Sequence, residues 1–279
     1  MVLVHPITGS PDHPISRSPD VLTGFRSLNI ALFGGTFDPI HTGHVQAARA
    51  AARMFKLDRV VFVPTGRPPH KHGDHLTSFA HRYGMTVLAC AGDRRMIPSL
   101  LEAPTAEDKP CFSIDTVRKV RRSLRKDDRL FFLIGVDAFL DLPHWKEYRR
   151  LLNLVDFIVV SRPGFDVDEI RKVVPEEMSR SGDGFDHPLV PSSVRRGGAR
   201  RLDTIRLRRS TLYVLRGVQM HVASHAIRQP IGSGRTVTGL VPRLVEEYIL
   251  KEGLYGPHRP PSEVRAPRHA PLQSGCGGK

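Results

Sequence analysis

The chain is short of cysteine, tryptophan, acidic residues and long apolar runs, and each shortage excludes something. Its 279 residues hold three cysteines, Cys90, Cys111 and Cys276. They are odd in number, far apart and in no metal-like spacing. This argues against a disulfide framework and for a reducing compartment. No apolar run reaches the length a bilayer demands, and the first twenty residues have neither a basic start nor the apolar stretch of a secretory signal. The expected location is cytoplasmic, without a membrane partner. Aspartate and glutamate number 28 against 42 lysines and arginines, which leaves a net charge of +14 and a pI near 10.3. Such an excess suits a polyanion, RNA or a nucleotide. It is concentrated in RRGGARRLDTIRLRR (195–209) and in the tail. No aromatic-rich nucleic-acid motif accompanies it, so a nucleic acid is not expected as the main partner.

What is present is organised around residues 28–45, LNIALFGGTFDPIHTGHV. An apolar run reads as a buried strand. Gly34 and Gly35 follow and let the backbone turn and a ligand approach closely. Thr36, Phe37, Asp38 and Pro39 make a turn. His41 and His44 flank Gly43, and the alanine- and arginine-rich segment after them reads as helix. A strand, a glycine turn and a helix start make an anion site from free backbone N–H groups and the helix dipole. The imidazoles add hydrogen-bond donors for phosphate oxygens. Zinc is set aside because no cysteine lies near. No metal ligand is assigned.

This stretch resembles the GGTFDPIHxGH signature of the nucleotidyltransferase superfamily. The superfamily's His-x-Gly-His pair holds nucleotide phosphates during nucleotidyl transfer, and the resemblance gives that role to His41 and His44. Further along, the strand RVVFVP runs into Pro64, Pro68, Pro69, His70 and Lys71. This pattern is similar to that of the bacterial nicotinate-nucleotide adenylyltransferases, and it implies that Pro69, His70 and Lys71 serve the acceptor. A helix is expected over 79–90, with Arg82 read as no more than a solvated residue, and a short strand over 96–101. Ser113 is expected to cap a helix whose first turn carries Asp115.

The run RLFFLIG reads as a central strand ending in Gly135 and Asp137, where open α/β sheets bind ligands and a carboxylate can accept from ribose hydroxyls. Trp145 is the single tryptophan. An isolated tryptophan is more often core than ligand contact, but the family resemblance implies an indole face against the nicotinate ring. A helix is expected over 168–174. Near the end, Val222 to Arg228 stands where the family has a second phosphate site. Ile227 and Arg228 match it, whereas Ala223 and His225 replace the usual Ser and Thr. Ser224 is expected to cap that helix, and His225 to donate a hydrogen bond.

Strands alternating with helices imply an α/β fold with a parallel sheet covered on both faces. The resemblance makes it the Rossmann-like nucleotidyltransferase version, with a small helical C-terminal part. The expected organisation is a disordered extension over 1–27, a nucleotidyltransferase domain over 28–255 with a basic flexible insert at 180–209, and a disordered tail over 256–279. The implied reaction is adenylyl transfer from ATP to nicotinate mononucleotide, giving deamido-NAD and pyrophosphate, with Mg2+ as cofactor. His41, His44 and Arg228 would be catalytic. ATP would meet Gly34, Gly35, Thr36, Phe37, Gly43, Gly135, Asp137, Ser224 and Ile227. Pro69, His70, Lys71 and Trp145 would meet the acceptor. Two alternatives stand beside this reading. One is another adenylyltransferase of the superfamily, acting on nicotinamide mononucleotide or phosphopantetheine. The other is a non-enzymatic nucleotide- or RNA-binding relative.

Overall fold

A computed structural model describes residues 26–68, 76–106, 109–161, 165–178, 202–218, 223–233 and 235–256. Pro69, His70 and Lys71 lie outside them, as do most of the expected insert, most of the N-terminal extension and all of the tail beyond 256.

The strands are β1 (Asn29–Gly35), β2 (Arg59–Pro64), β3 (Met96–Pro98), β4 (Arg129–Gly135), β5 (Asp156–Val160), β6 (Leu202–Arg206) and β7 (Thr211–Leu215). They form one seven-stranded sheet in the order β3-β2-β1-β4-β5-β7-β6. Every pairing is parallel except that of β6 with β7. The central strands are apolar at nearly every position because both faces of the sheet are covered. Along β1 the pleat sends Ala31 and Phe33 into one core and Ile30 and Leu32 into the other.

On the first face lie α1 (Thr42–Met54), α2 (Phe79–Cys90), α7 (Ser224–Gly232) and α8 (Arg243–Lys251). Alanines at 47, 48, 51 and 52 are almost fully buried and let α1 sit close to the sheet. The second face carries α3 (Ser113–Ser123), α4 (Val136–Leu140), α5 (Tyr148–Leu154) and α6 (Val167–Val173). In α3 the stripe Ile114, Val117 and Val120 is buried, while the basic residues between stay on the solvent side, as an amphipathic helix requires. The C-terminal helical part packs back onto the first face, with Ile227, Ile231, Val245 and Ile249 buried in the same core as β1.

The expected parallel sheet is present, with one antiparallel edge strand, β6, inside the span expected as a flexible insert. Within 202–206 the buried Leu202 and Ile205 sit among half-buried residues, and the charge around them hid the strand signal. Two capping expectations need correction. Ser113 does not cap α3. Phe112 occupies the cap position without a side-chain bond, and its carbonyl accepts from Asp115 and Thr116 N–H at 3.0 and 3.2 Å. Likewise Ala223, not Ser224, is the cap residue of α7.

Candidate active site

β1 pairs with β2 on one side and β4 on the other, so the strand order reverses there and the carboxyl ends open a crevice. A cleft of about 620 Å³ occupies it, walled by Gly34 and Gly35 at the end of β1, Thr36 just after it, Gly135 at the end of β4, Asp137 in α4 and His44 in α1. Its far end is lined by Pro68, Glu102, Phe112, Ser113, Thr116 and Trp145.

The turn after β1 has little freedom. A Cβ on Gly35 would come within 2.8 Å of the Phe37 ring. Phe37 itself is left-handed, at φ 51°, and this aims its ring inward. The ring is 2% exposed and meets Phe33 at 5.8 Å and His44 at 5.0 Å, both edge-on. Phe37 was expected to meet ATP. Its side chain instead lies behind the cleft and supports the His44 ring, because a buried aromatic side chain gains more from the core than from a wet wall.

His41 and His44 stack with ring centroids 3.6 Å apart. The His41 backbone N–H donates to His44 Nδ1 at 3.2 Å. An accepting Nδ1 carries no proton, so the proton of the neutral ring is assigned to Nε2. Burial pushes the His41 imidazole down to about 4. It lowers His44 well below the ordinary range too, with the His41 charge as a second cause. Both rings are therefore neutral at pH 7, which is what permits so close a stack. His41 Nδ1 is buried and has no partner among the described residues.

The start of α1 offers fewer free N–H groups than expected. Thr42 N–H bonds to Leu240 O at 2.9 Å, and His44 N–H turns back to His41 O at 3.0 Å. The donors that face the cleft here are thus the His44 ring and the glycine turn, while Gly43 is buried behind it. α7 closes over the same turn. Arg228 Nη1 donates to Asp38 O at 2.6 Å, and Ser224 Oγ donates to Pro39 O at 3.1 Å. Ile227 is fully buried and serves packing. His225 is exposed. Asp38 is buried and accepts from the Tyr255 hydroxyl at 2.5 Å and from Thr77 N–H at 3.3 Å.

Two contributors escaped the sequence reading. Arg82 is 1% exposed, and its guanidinium donates to the carbonyls of Thr77, Thr36, Thr65 and Gly66 at 2.8–3.2 Å. It ties the turns after β1 and β2 together from below, and burial lowers its pKa. The signal was available, since Arg82 falls on the buried stripe of α2 with Met85, Thr86 and Ala89. The other is Glu102. Burial pushes its carboxyl up to about 7, and Oε1 accepts from Thr116 Oγ1 at 2.6 Å. Nothing in the local sequence marks it.

Trp145 is half-buried, edge-on to Phe132 at 6.2 Å, and part of the cleft wall. Its two expected roles are therefore combined, with one part of the indole in the core and another facing the cleft. The remaining acceptor candidates, Pro69, His70 and Lys71, begin one residue after Pro68, and the described residues stop there.

Among the described residues no helix is long and apolar enough to cross a membrane. The chain matches the cytidylyltransferase-like family over residues 32–228. It is 36% identical over 229 residues to a probable nicotinate-nucleotide adenylyltransferase of Desulfotalea psychrophila, covering 81% of this chain and 99% of that protein. It is 38% identical over 228 residues to the corresponding protein of Thermus thermophilus, covering 82% and 100%. A solved structure of Plasmodium falciparum nicotinic acid mononucleotide adenylyltransferase complexed with NaAD shares the fold, with a TM-score of 0.58 and 18% identity over 82% of this chain and 97% of that one. With the signature turn at the switch point of the sheet and relatives matched over nearly their whole length, the chain belongs to the nicotinate-nucleotide adenylyltransferase family of the cytidylyltransferase-like nucleotidyltransferases.

Proposed function

We propose that this cleft joins ATP to nicotinate mononucleotide, giving deamido-NAD and pyrophosphate. An oxygen of the acceptor's phosphate attacks the α-phosphorus of ATP in line. One P–O bond forms while the bond to the pyrophosphate oxygen breaks, and no side chain becomes a covalent intermediate. Catalysis is then positioning and charge stabilisation. Gly34, Gly35 and Thr36 let the phosphates approach the backbone. His44 offers Nε2–H to an oxygen of the transferring phosphate, and His41 sets the ring's tautomer from beneath. Arg228 spends one N–H on Asp38 O and has further N–H groups for phosphate oxygens. Asp137 accepts from ribose hydroxyls. Trp145 faces the acceptor's ring.

Family membership implies dependence on a divalent metal. Among the described residues no three His, Cys, Asp or Glu side chains group together as a metal cage. A Mg2+ would be held chiefly by the ATP phosphates and its own waters, as this ion commonly is, and would supply charge neutralisation for the leaving pyrophosphate. The free thiols of Cys90 and Cys111 suit a cytoplasmic location.

The observation that supports this reading most is the neutral His41–His44 stack placed at the strand-order reversal. The test is pyrophosphate release by purified protein from ATP and a panel of mononucleotides, with the dinucleotide identified by mass. Product with nicotinate mononucleotide well ahead of the nicotinamide compound is expected. Equal turnover of the two would move the assignment to a broader acceptor, and ATP binding without turnover would favour a non-enzymatic relative.

A further inference from the structure

Trp145 occupies an irregular segment between the 3-10 turn Leu142–His144 and α5. What fastens this segment sideways is α3. Arg118 grips the Glu147 carboxylate with both ends of its fork, Nη1 to Oε1 at 3.2 Å and Nη2 to Oε2 at 2.8 Å. Lys146 Nζ reaches Asp115 Oδ2 at 3.0 Å and lies 4.5 Å above the Phe112 ring. Phe112 is the cap residue of α3, and Asp115 and Arg118 follow at three-residue steps, so each neighbours the next on the helix surface. Glu147 is left-handed, at φ 52° and ψ 37°, a conformation that a non-glycine residue keeps only where its surroundings hold it.

We propose that Arg118 and Asp115 are positioning residues: through Glu147 and Lys146 they clasp the 145–147 segment to α3 and fix the indole of Trp145 as the wall for the acceptor's aromatic ring. This rests on the reading of the Trp145 end as the acceptor site. The clasp contributes little to overall stability. The Arg118 and Glu147 side chains are 32% and 27% exposed, and pairs at such sites are weak in stability terms. Two parallel bonds to a planar fork nevertheless fix orientation, and small displacements of a substrate-holding wall are costly to catalysis. Arg118 first, then Arg150, holds the Glu147 carboxyl down to about 2. Asp115, Lys146, Arg118 and Arg150 are the charged groups around it, and the Arg118–Glu147 pair stays ionised through the neutral range.

Because Trp145 is the only tryptophan, tryptophan fluorescence excited beyond the tyrosine absorption band reports on this wall alone. The experiment compares wild type with Arg118→Ala, Arg118→Lys, Glu147→Gln and Trp145→Ala. It reads KM for each substrate, kcat, tryptophan emission and thermal midpoint. Arg118→Ala and Glu147→Gln should raise the acceptor KM on the order of tenfold and shift the emission to the red before any substrate is added. The KM for ATP and the thermal midpoint should barely move, and the effect should be equal at pH 6 and pH 8. Arg118→Lys should fall between, since it keeps the charge and loses the fork. If Trp145→Ala raises the acceptor KM while Arg118→Ala changes neither that KM nor the emission, the clasp is wrong and the acceptor reading stands. If Trp145→Ala leaves the acceptor KM unchanged, the acceptor reading itself fails, and the clasp with it. Equal rises in both KM values would mark a general structural role and overturn the proposal.

Discussion

At one end of the cleft a pair of stacked imidazoles is kept neutral by burial; at the other end a carboxyl, Glu102, is pushed up to about 7 by the same cause. Both ends thus suppress charge where an anionic substrate is to lie. At the histidine end this leaves a donor, Nε2–H of His44, that no carboxylate among the described residues has claimed. At the Glu102 end it weakens, near neutral pH, a negative charge that would repel an acidic acceptor. The construction differs, however. The histidine end is assembled chiefly from one continuous stretch, 34–44, backed by α7. The other is assembled from the segment around Glu102, the start of α3 and the turn before α5. A site made of neighbours in sequence tolerates drift elsewhere in the fold, whereas one made of distant segments depends on clasps such as Thr116–Glu102 and Arg118–Glu147.

The comparison breaks most sharply at His44. His44→Ala should lower kcat by about two to four powers of ten, as the loss of a donor to developing charge commonly does, with a nearly unchanged circular dichroism spectrum. A folded variant with near-normal turnover would remove His44 from the phosphate.

Arg82 comes next, because it underlies the histidine end without touching substrate. Arg82→Leu leaves the carbonyls of Thr36, Thr65, Gly66 and Thr77 without their donor and should cost about 3 kcal/mol of unfolding free energy. Urea denaturation measures it. A loss under about 1 kcal/mol would show that water replaces the guanidinium.

The pH dependence sharpens the contrast between the ends, since the two shifts act in opposite senses. The histidines have folded pKa values below their unfolded ones, so the folded state binds fewer protons. Their share of stability is present at neutral pH and is lost as pH falls below 6.5 toward about 4. Glu102 is raised from 4.5 to about 7. Its folded form binds more protons, so stability is lost as pH rises through that window and stays low above it. Glu102→Gln should therefore gain on wild type between pH 5 and pH 7.5 and hold a constant margin beyond. Parallel stability curves for the two proteins would refute the raised Glu102 pKa.

The smallest effect is expected at the start of α7. Ala223→Ser with His225→Thr restores the family's usual residues there, yet His225 is exposed and α7 is held to the turn by Arg228 and Ser224. The apparent ATP affinity should change by less than about threefold. A loss of more than about tenfold would place His225 among the phosphate donors.

What the chain by itself determined is the local part of this protein. The apolar runs of β1, β2, β4 and β5 could only be strands buried on both faces. Residues 34–44 carry their turn, their rings and their helix start within a dozen positions, so their chemistry could be read in order. The bounds of α2 follow from Ser78, whose hydroxyl accepts from His81 N–H, and from helix formers behind it. Tertiary structure decided the rest. The Phe37 ring lies in the core because its left-handed backbone turns it there. Arg82 became a buried cross-tie because four carbonyls from separate segments converge on it. β6 became an edge strand because β7 offered it free backbone groups. Glu102 and the clasp on Trp145 exist only once α3 is packed on the sheet. The physical reason is range. Propensity, turn chemistry and amphipathic period act over a few residues and are written in order along the chain. Desolvation, ring stacking and ion-pair geometry depend on which distant segments the sheet brings together, and those neighbours are set by the fold.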